Sequence, residues 1–149
     1  PTTTKPANPT APPVASKAKW ARFLFTELDC QPHPDRPLAA DVVTLRTAPV
    51  TGVGAPETIV AANCPNTTSR WPVQVRVYAD APGSALLLTV GEDDYLRTAD
   101  LTVDGRSFTL DAEAISDRAP LCCPDERLVQ TWTWDGSRFE LTASERTNL

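Results

Sequence analysis

The sequence predicts a mainly β fold of the α+β kind: a curved or barrel-like antiparallel sheet of about seven or eight strands built from hairpins, with one N-terminal helix. Three observations carry this. Apolar residues recur with helical spacing only once, before residue 30. From residue 41 onward the pattern alternates with period two. Between the alternating runs stand glycine-containing turn signals of the kind that close hairpins.

Residues 1–15, PTTTKPANPTAPPVA, hold five of the 15 prolines and no aromatic residue. Such a stretch buries too little apolar surface to offset its ordering entropy, and proline biases it toward extended polyproline II. It is expected to be a disordered spacer, with residues 16–149 forming one domain. The chain starts at Pro1 and contains no methionine. It is therefore expected to be a piece of a longer product, tethered through an upstream anchor. All three lysines precede Trp20, so the chain from Trp20 onward sets 11 arginines against 19 acidic residues, a net charge of −8. That balance repels phosphate backbones and anionic lipid, and it excludes a sequence-independent nucleic-acid binder. No apolar run approaches the roughly 18 residues needed to span a bilayer, so no direct membrane insertion is expected.

Ser16 is placed to cap a helix through KAKWARFLFTELD, in which Trp20, Phe23, Leu24 and Leu28 share one face. Prolines 32, 34 and 37 stop it near Cys30. The strand candidates are DVVTLRTAPV, ETIVAANC, VQVRVYAD, ALLLTVG, YLRTADLTVD, RSFTLDAEAI, RLVQTWTWD and SRFELTAS. Gly52-Val53-Gly54, Pro82-Gly83-Ser84, Asp104-Gly105 and Asp135-Gly136 separate successive members, and Asp-Gly favours a type I′ turn. In VQVRVYA the valines 73, 75 and 77 face one way and Gln74, Arg76 and Tyr78 the other. One side of the sheet is expected to be wet, with the helix on the apolar side or plugging one end.

Four cysteines, Cys30, Cys64, Cys122 and Cys123, form an even set that points to two disulfides and an oxidising compartment. Because the side chains of neighbouring residues point apart, a Cys122–Cys123 bridge is the disfavoured pairing. The expected bridges tie Cys30 and Cys64 to the adjacent pair, in either order. Closing a loop of about 90 residues in this way would stabilise by roughly 4–5 kcal/mol. Cys30 and His33 also have C-x2-H spacing, but His33 lies between prolines, and no metal or other cofactor is expected.

Catalytic patterns are absent: no G-x-S-x-G, no H-E-x-x-H, no glycine-rich phosphate loop, and one histidine in all. The densest acidic run, Glu92-Asp93-Asp94, lacks the alternating spacing of a calcium loop and reads as a solvated turn. Trp71, Trp132 and Trp134 could stack on a ligand, though Trp132 and Trp134 read first as packing against Phe139. Two proline-stiffened, cysteine-anchored segments, CPNTTSRWP (64–72) and APLCCPDER (119–127), are candidate display loops. Their candidate contact residues are Arg70, Trp71 and Leu121.

Leu121-Cys122-Cys123-Pro124-Asp125, followed by Thr131-Trp132-Thr133-Trp134-Asp135-Gly136-Ser137-Arg138-Phe139, resembles small extracytoplasmic domains of actinobacteria. In these a C-C-P turn precedes a W-x-W-x-G-x-x-F hairpin, and some are lipoproteins of the LppP/LprE type. Residues Val50 to Val60 also resemble a degenerate FG-GAP-like repeat, but Thr51, Val53 and Ala55 stand where its calcium-binding aspartates would be. The resemblance implies a secreted or extracytoplasmic location and brings no activity with it.

The expected role is a non-catalytic sensor or interaction module at the cell envelope, with a protein or cell-envelope ligand as partner. A secreted protease inhibitor presenting a cysteine-anchored loop is the alternative, and a small envelope hydrolase a further one.

Overall fold

The computed structural model describes residues 16–65 and 72–149. The spacer 1–15 and the candidates Arg70 and Trp71 fall outside them.

The helix α1 (Lys17–Glu27) begins where Ser16 accepts a hydrogen bond at Oγ from the Lys19 amide. It ends in a Schellman motif rather than at the prolines. The Cys30 amide donates to the Phe25 carbonyl and the Asp29 amide to the Thr26 carbonyl, with Asp29 at φ 55°. Its face of Trp20 and Leu24 is buried, as the spacing predicts.

Among the described residues nine strands follow: β1 (Asp41–Ala48), β2 (Glu57–Asn63), β3 (Gln74–Tyr78), β4 (Leu86–Val90), β5 (Tyr95–Leu96), β6 (Asp100–Asp104), β7 (Ser107–Ile115), β8 (Glu126–Trp134) and β9 (Phe139–Asn148). They make two antiparallel sheets, not one curved or closed sheet. One runs β1-β2-β3-β4. In the other, β7-β8-β9 are consecutive and both β5 and β6 pair with β7. The predicted run YLRTADLTVD is thus two short strands on one neighbour.

The chain passes from the first sheet to the second at Gly91, whose φ of 93° and close approach to Leu96 and the Val73 carbonyl admit no side chain. The inner faces pack on each other around Ile59, Val75, Val77, Leu101, Phe108, Leu110 and Leu128. The helix lies on the opposite face of the first sheet, where Trp20 and Leu24 meet Val42, Val60, Ala62 and Tyr78. Strand β2 is therefore buried on both faces, which its run TIVAA reflects. The predicted wet face belongs to the second sheet, and β9 is exposed at all residues after Phe139.

The polar residues predicted to face away from the valines line the helix interface instead of water. There Tyr78 donates to Glu27, and Arg76 donates to Gln74 and Tyr78. Burial raises the Tyr78 phenol above its ordinary value, against the lowering effect of Arg76.

The β6–β7 hairpin departs from the predicted type I′ turn. Asp104 pairs with Ser107, so the central residues are Gly105 and Arg106, and only Gly105 has positive φ, at 60°. One positive φ at the first central position is the requirement of a type II′ turn. In the last hairpin, Asp135 accepts the amides of Ser137 and Arg138 at Oδ1, and these bonds hold its carboxyl below the usual aspartate value.

Candidate functional site

The cysteines pair as Cys30–Cys64 and Cys122–Cys123. This overturns the expected cross-links to the C-C-P turn. The helix layer brings Cys30, at the end of α1, to the end of β2, with Cα atoms of Cys30 and Cys64 5.3 Å apart. The adjacent cysteines have only each other left. The first bridge also takes Cys30 out of any C-x2-H metal site; the His33 imidazole instead accepts the Asp35 amide at Nδ1 in an exposed loop.

The Cys122–Cys123 bridge sits in the β7–β8 loop, residues 116–125, which overlaps the predicted display segment 119–127. The loop's ends are fastened first. The Ser116 amide donates to Asp125 Oδ1 at 2.8 Å and the Ser116 hydroxyl to Oδ2 at 2.5 Å. Those two bonds, the hydroxyl's foremost, hold the Asp125 carboxyl below the ordinary aspartate value. The Asp125 amide reaches the Ala114 carbonyl, and the Leu149 amide reaches the Asp125 carbonyl. Within the loop, the Ala119 amide donates to Ser116 and the Cys123 amide to Pro120. Arg97, between β5 and β6, supplies the remaining fastening: its Nη1 donates to the carbonyls of Leu121 and Cys122 at 3.1 and 3.0 Å.

Pro120, Leu121, Cys122 and Cys123 are all exposed on this frame, and Leu121 is 60% exposed. A large apolar side chain offered to water from a loop fixed at several points is the geometry of a preordered contact residue.

Beside the loop lies an open cleft of about 420 Å³, lined by Asp93, Asp94, Tyr95, Asp117, Arg118, Glu126 and Arg146. It contains part of the acidic run singled out above. Arg146 of β9 enters it and pairs with Asp94 and, at 3.3 Å, with Glu126. The Arg146 guanidinium lies between Asp94 and Glu126, so these two do not form a free carboxylate pair. Among the described residues no group of three or more metal-ligating side chains could hold an ion. Trp132 and Trp134 are half-buried against the core, and Trp134 meets Phe139 edge-on at 5.1 Å, the packing role expected for them.

Arg97, Ser116 and Asp125 were not among the sequence candidates. The Ser116–Asp125 clasp spans nine residues around C-C-P and has a local signal in its serine and aspartate. The Arg97 contact has none, because only the pairing of β5 and β6 with β7 brings it near.

Among the described residues no helix is long and apolar enough to cross a membrane. No family model, curated protein or solved structure matches the chain.

Proposed function

We propose that this domain is a non-catalytic interaction module of the extracytoplasmic cell envelope, and that it engages a protein partner through the 116–125 loop. The observation that carries the reading is Leu121, 60% exposed at a turn that Arg97 and the Ser116–Asp125 clasp hold in place. Binding through such a loop loses little conformational entropy, because the fold has already ordered it. Two disulfides support an oxidising compartment. The likeness of the C-C-P turn and W-x-W hairpin to actinobacterial envelope domains supports the same location.

The test is photocrosslinking on source cells with a photoreactive amino acid at position 121, or at Val53 as an exposed control far from the loop in sequence. The expected result is a discrete adduct from position 121, competed by unlabelled protein and absent from position 53. Competition by a Leu121→Asp protein should be at least about tenfold weaker, which corresponds to roughly 1.4 kcal/mol of binding. Equal labelling from both positions overturns the reading.

The same exposed leucine favours protease inhibition as a second reading, with Leu121 offered to the enzyme's specificity pocket. A panel of serine and cysteine proteases tests it. Inhibition of an enzyme that cleaves after large apolar residues, lost in Leu121→Gly, would support it; no inhibition anywhere in the panel would remove it.

A further inference from the structure

We propose that Cys122–Cys123 is a redox-modification site: a bridge that protein or small-molecule dithiols reduce selectively, leaving Cys30–Cys64 oxidised and presenting a vicinal dithiol on the 116–125 loop. The inference does not require the loop to have a partner.

The two bridges differ in access. Thiol–disulfide exchange needs a thiolate to reach a sulfur. Cys122 and Cys123 are both exposed, whereas Cys30 is 7% exposed and sits in the core beneath the helix, with Cys64 packed against that core.

They differ as well in what opposes reduction. Opening Cys30–Cys64 releases a loop with a sequence separation of 34, which the unfolded chain would exploit. Opening the bridge between consecutive residues releases no chain loop at all. The hydrogen bonds that frame it do not involve the sulfurs: Arg97 holds the carbonyls of Leu121 and Cys122, and Ser116 holds Asp125. The product is therefore two thiols kept side by side rather than a loosened strand.

One thiolate of the dithiol attacks one sulfur, forms a mixed disulfide and expels the other cysteine as a thiolate, which takes a proton. The second thiol of the reductant then attacks the mixed disulfide and releases the remaining cysteine, again with a proton. The dithiol is oxidised to its disulfide as two electrons and two protons pass to Cys122 and Cys123.

The experiment treats the intact, folded protein with one equivalent of dithiothreitol, quenches with iodoacetamide at intervals, and maps the alkylated peptides by mass. Carbamidomethylation should appear at Cys122 and Cys123 at least about tenfold faster than at Cys30 or Cys64. The reduced protein should bind one equivalent of phenylarsine oxide, a reagent that chelates neighbouring thiols. Its thermal midpoint should stay that of the oxidised protein. A Cys122→Ser/Cys123→Ser protein should fold alike, show no early alkylation and bind no arsenical. Labelling of Cys30 and Cys64 first or simultaneously, or labelling at Cys122 and Cys123 only once denaturant is added, overturns the proposal.

Discussion

Arg97 and Cys122 lie 25 residues apart in sequence and are joined by a hydrogen bond of 3.0 Å from the guanidinium Nη1 to the backbone carbonyl. The same nitrogen also holds the carbonyl of Leu121, so one side chain orders the tip of the loop that carries the vicinal bridge. Arg97 reaches it because its own amide donates to the Glu113 carbonyl, which places it beside the end of β7. Arg97→Ala should therefore loosen the tip without unfolding the sandwich. Amide exchange at Leu121, Cys122 and Cys123 should accelerate, while global stability should change by less than about 1 kcal/mol, as is usual for an exposed hydrogen bond. Unaltered exchange in the loop would show that the bridge and the Ser116–Asp125 clasp suffice without Arg97.

The loop's base should respond to acid. Hydrogen bonds from Ser116 depress the Asp125 carboxyl below 3.8, so the folded state releases this proton more readily than the unfolded chain. The sign follows: the clasp's contribution is complete above that ordinary value and is lost as pH falls through the depressed one. Asp111, lowered chiefly by its hydrogen bond with Arg127, and Asp135 act in the same direction. Amide exchange at Ser116, corrected for its intrinsic pH dependence, should rise relative to the β8 amides roughly between pH 5 and pH 2. In Asp125→Asn the exchange should be fast already at pH 7 and lose that step. An unchanged pH profile in the variant would refute the assignment.

What was legible in the sequence was periodicity. Trp20 and Leu24 announce a helix face, and Val73, Val75 and Val77 announce a strand face, because side-chain direction follows backbone period. Periodicity does not say which strands share a sheet. The alternation of β3 is the same whether Gln74, Arg76 and Tyr78 meet water or a helix, and here Arg76 and Tyr78 meet the helix at Glu27. The end of β9 was missed because ERTN is polar throughout and is extended by pairing with β8, not by burial. The cysteine pairing failed for a similar reason. The divergence of neighbouring side chains is a local property, whereas Cys30 and Cys64 meet because the helix packs on β2. Leu121 could be singled out from its proline- and cysteine-flanked segment, while its support by Arg97 is a tertiary contact that no short-range pattern encodes.

The two bridges should differ sharply in their contribution to stability. With a sequence separation of 34, Cys30–Cys64 should stabilise by about 3–4 kcal/mol in the chain-entropy treatment. Cys30→Ala/Cys64→Ala should lower the urea midpoint accordingly, and should also detach the C-terminal end of α1. Cys122→Ser/Cys123→Ser should change the unfolding free energy by no more than about 0.5 kcal/mol, the range of surface changes. Equal losses from the two double variants would mean that the loop bridge contributes to the core.

Trp20 should be the residue on which the helix layer depends. It is fully buried, and its ring meets Phe23 at 5.7 Å and Tyr78 at 5.2 Å. Trp20→Ala would leave a cavity between the helix and β3 at a cost of about 3–5 kcal/mol. The loss should be local in character: amides of β7 and β8, in the other sheet, should keep their protection under conditions where those of α1 lose it. Cooperative loss of both would instead make the helix layer and the sandwich one folding unit.

Gly91 has φ 93°, and a Cβ there would fall 2.7 Å from Cδ1 of the fully buried Leu96 and 3.3 Å from the Val73 carbonyl oxygen. Gly83 has a similar φ of 97° with nothing within 4 Å of the same position. Gly83→Ala should therefore cost only the backbone term, about 1–2 kcal/mol. Gly91→Ala should cost that and a further 1–3 kcal/mol, roughly, for crowding Leu96 within the core. Urea titration of both variants, read at constant m-value, separates the two effects. Equal losses would mean that the crossing tolerates a side chain and that the junction between the sheets adjusts; a larger loss at Gly91 identifies the contact with Leu96 as what holds the second sheet in register beneath the first.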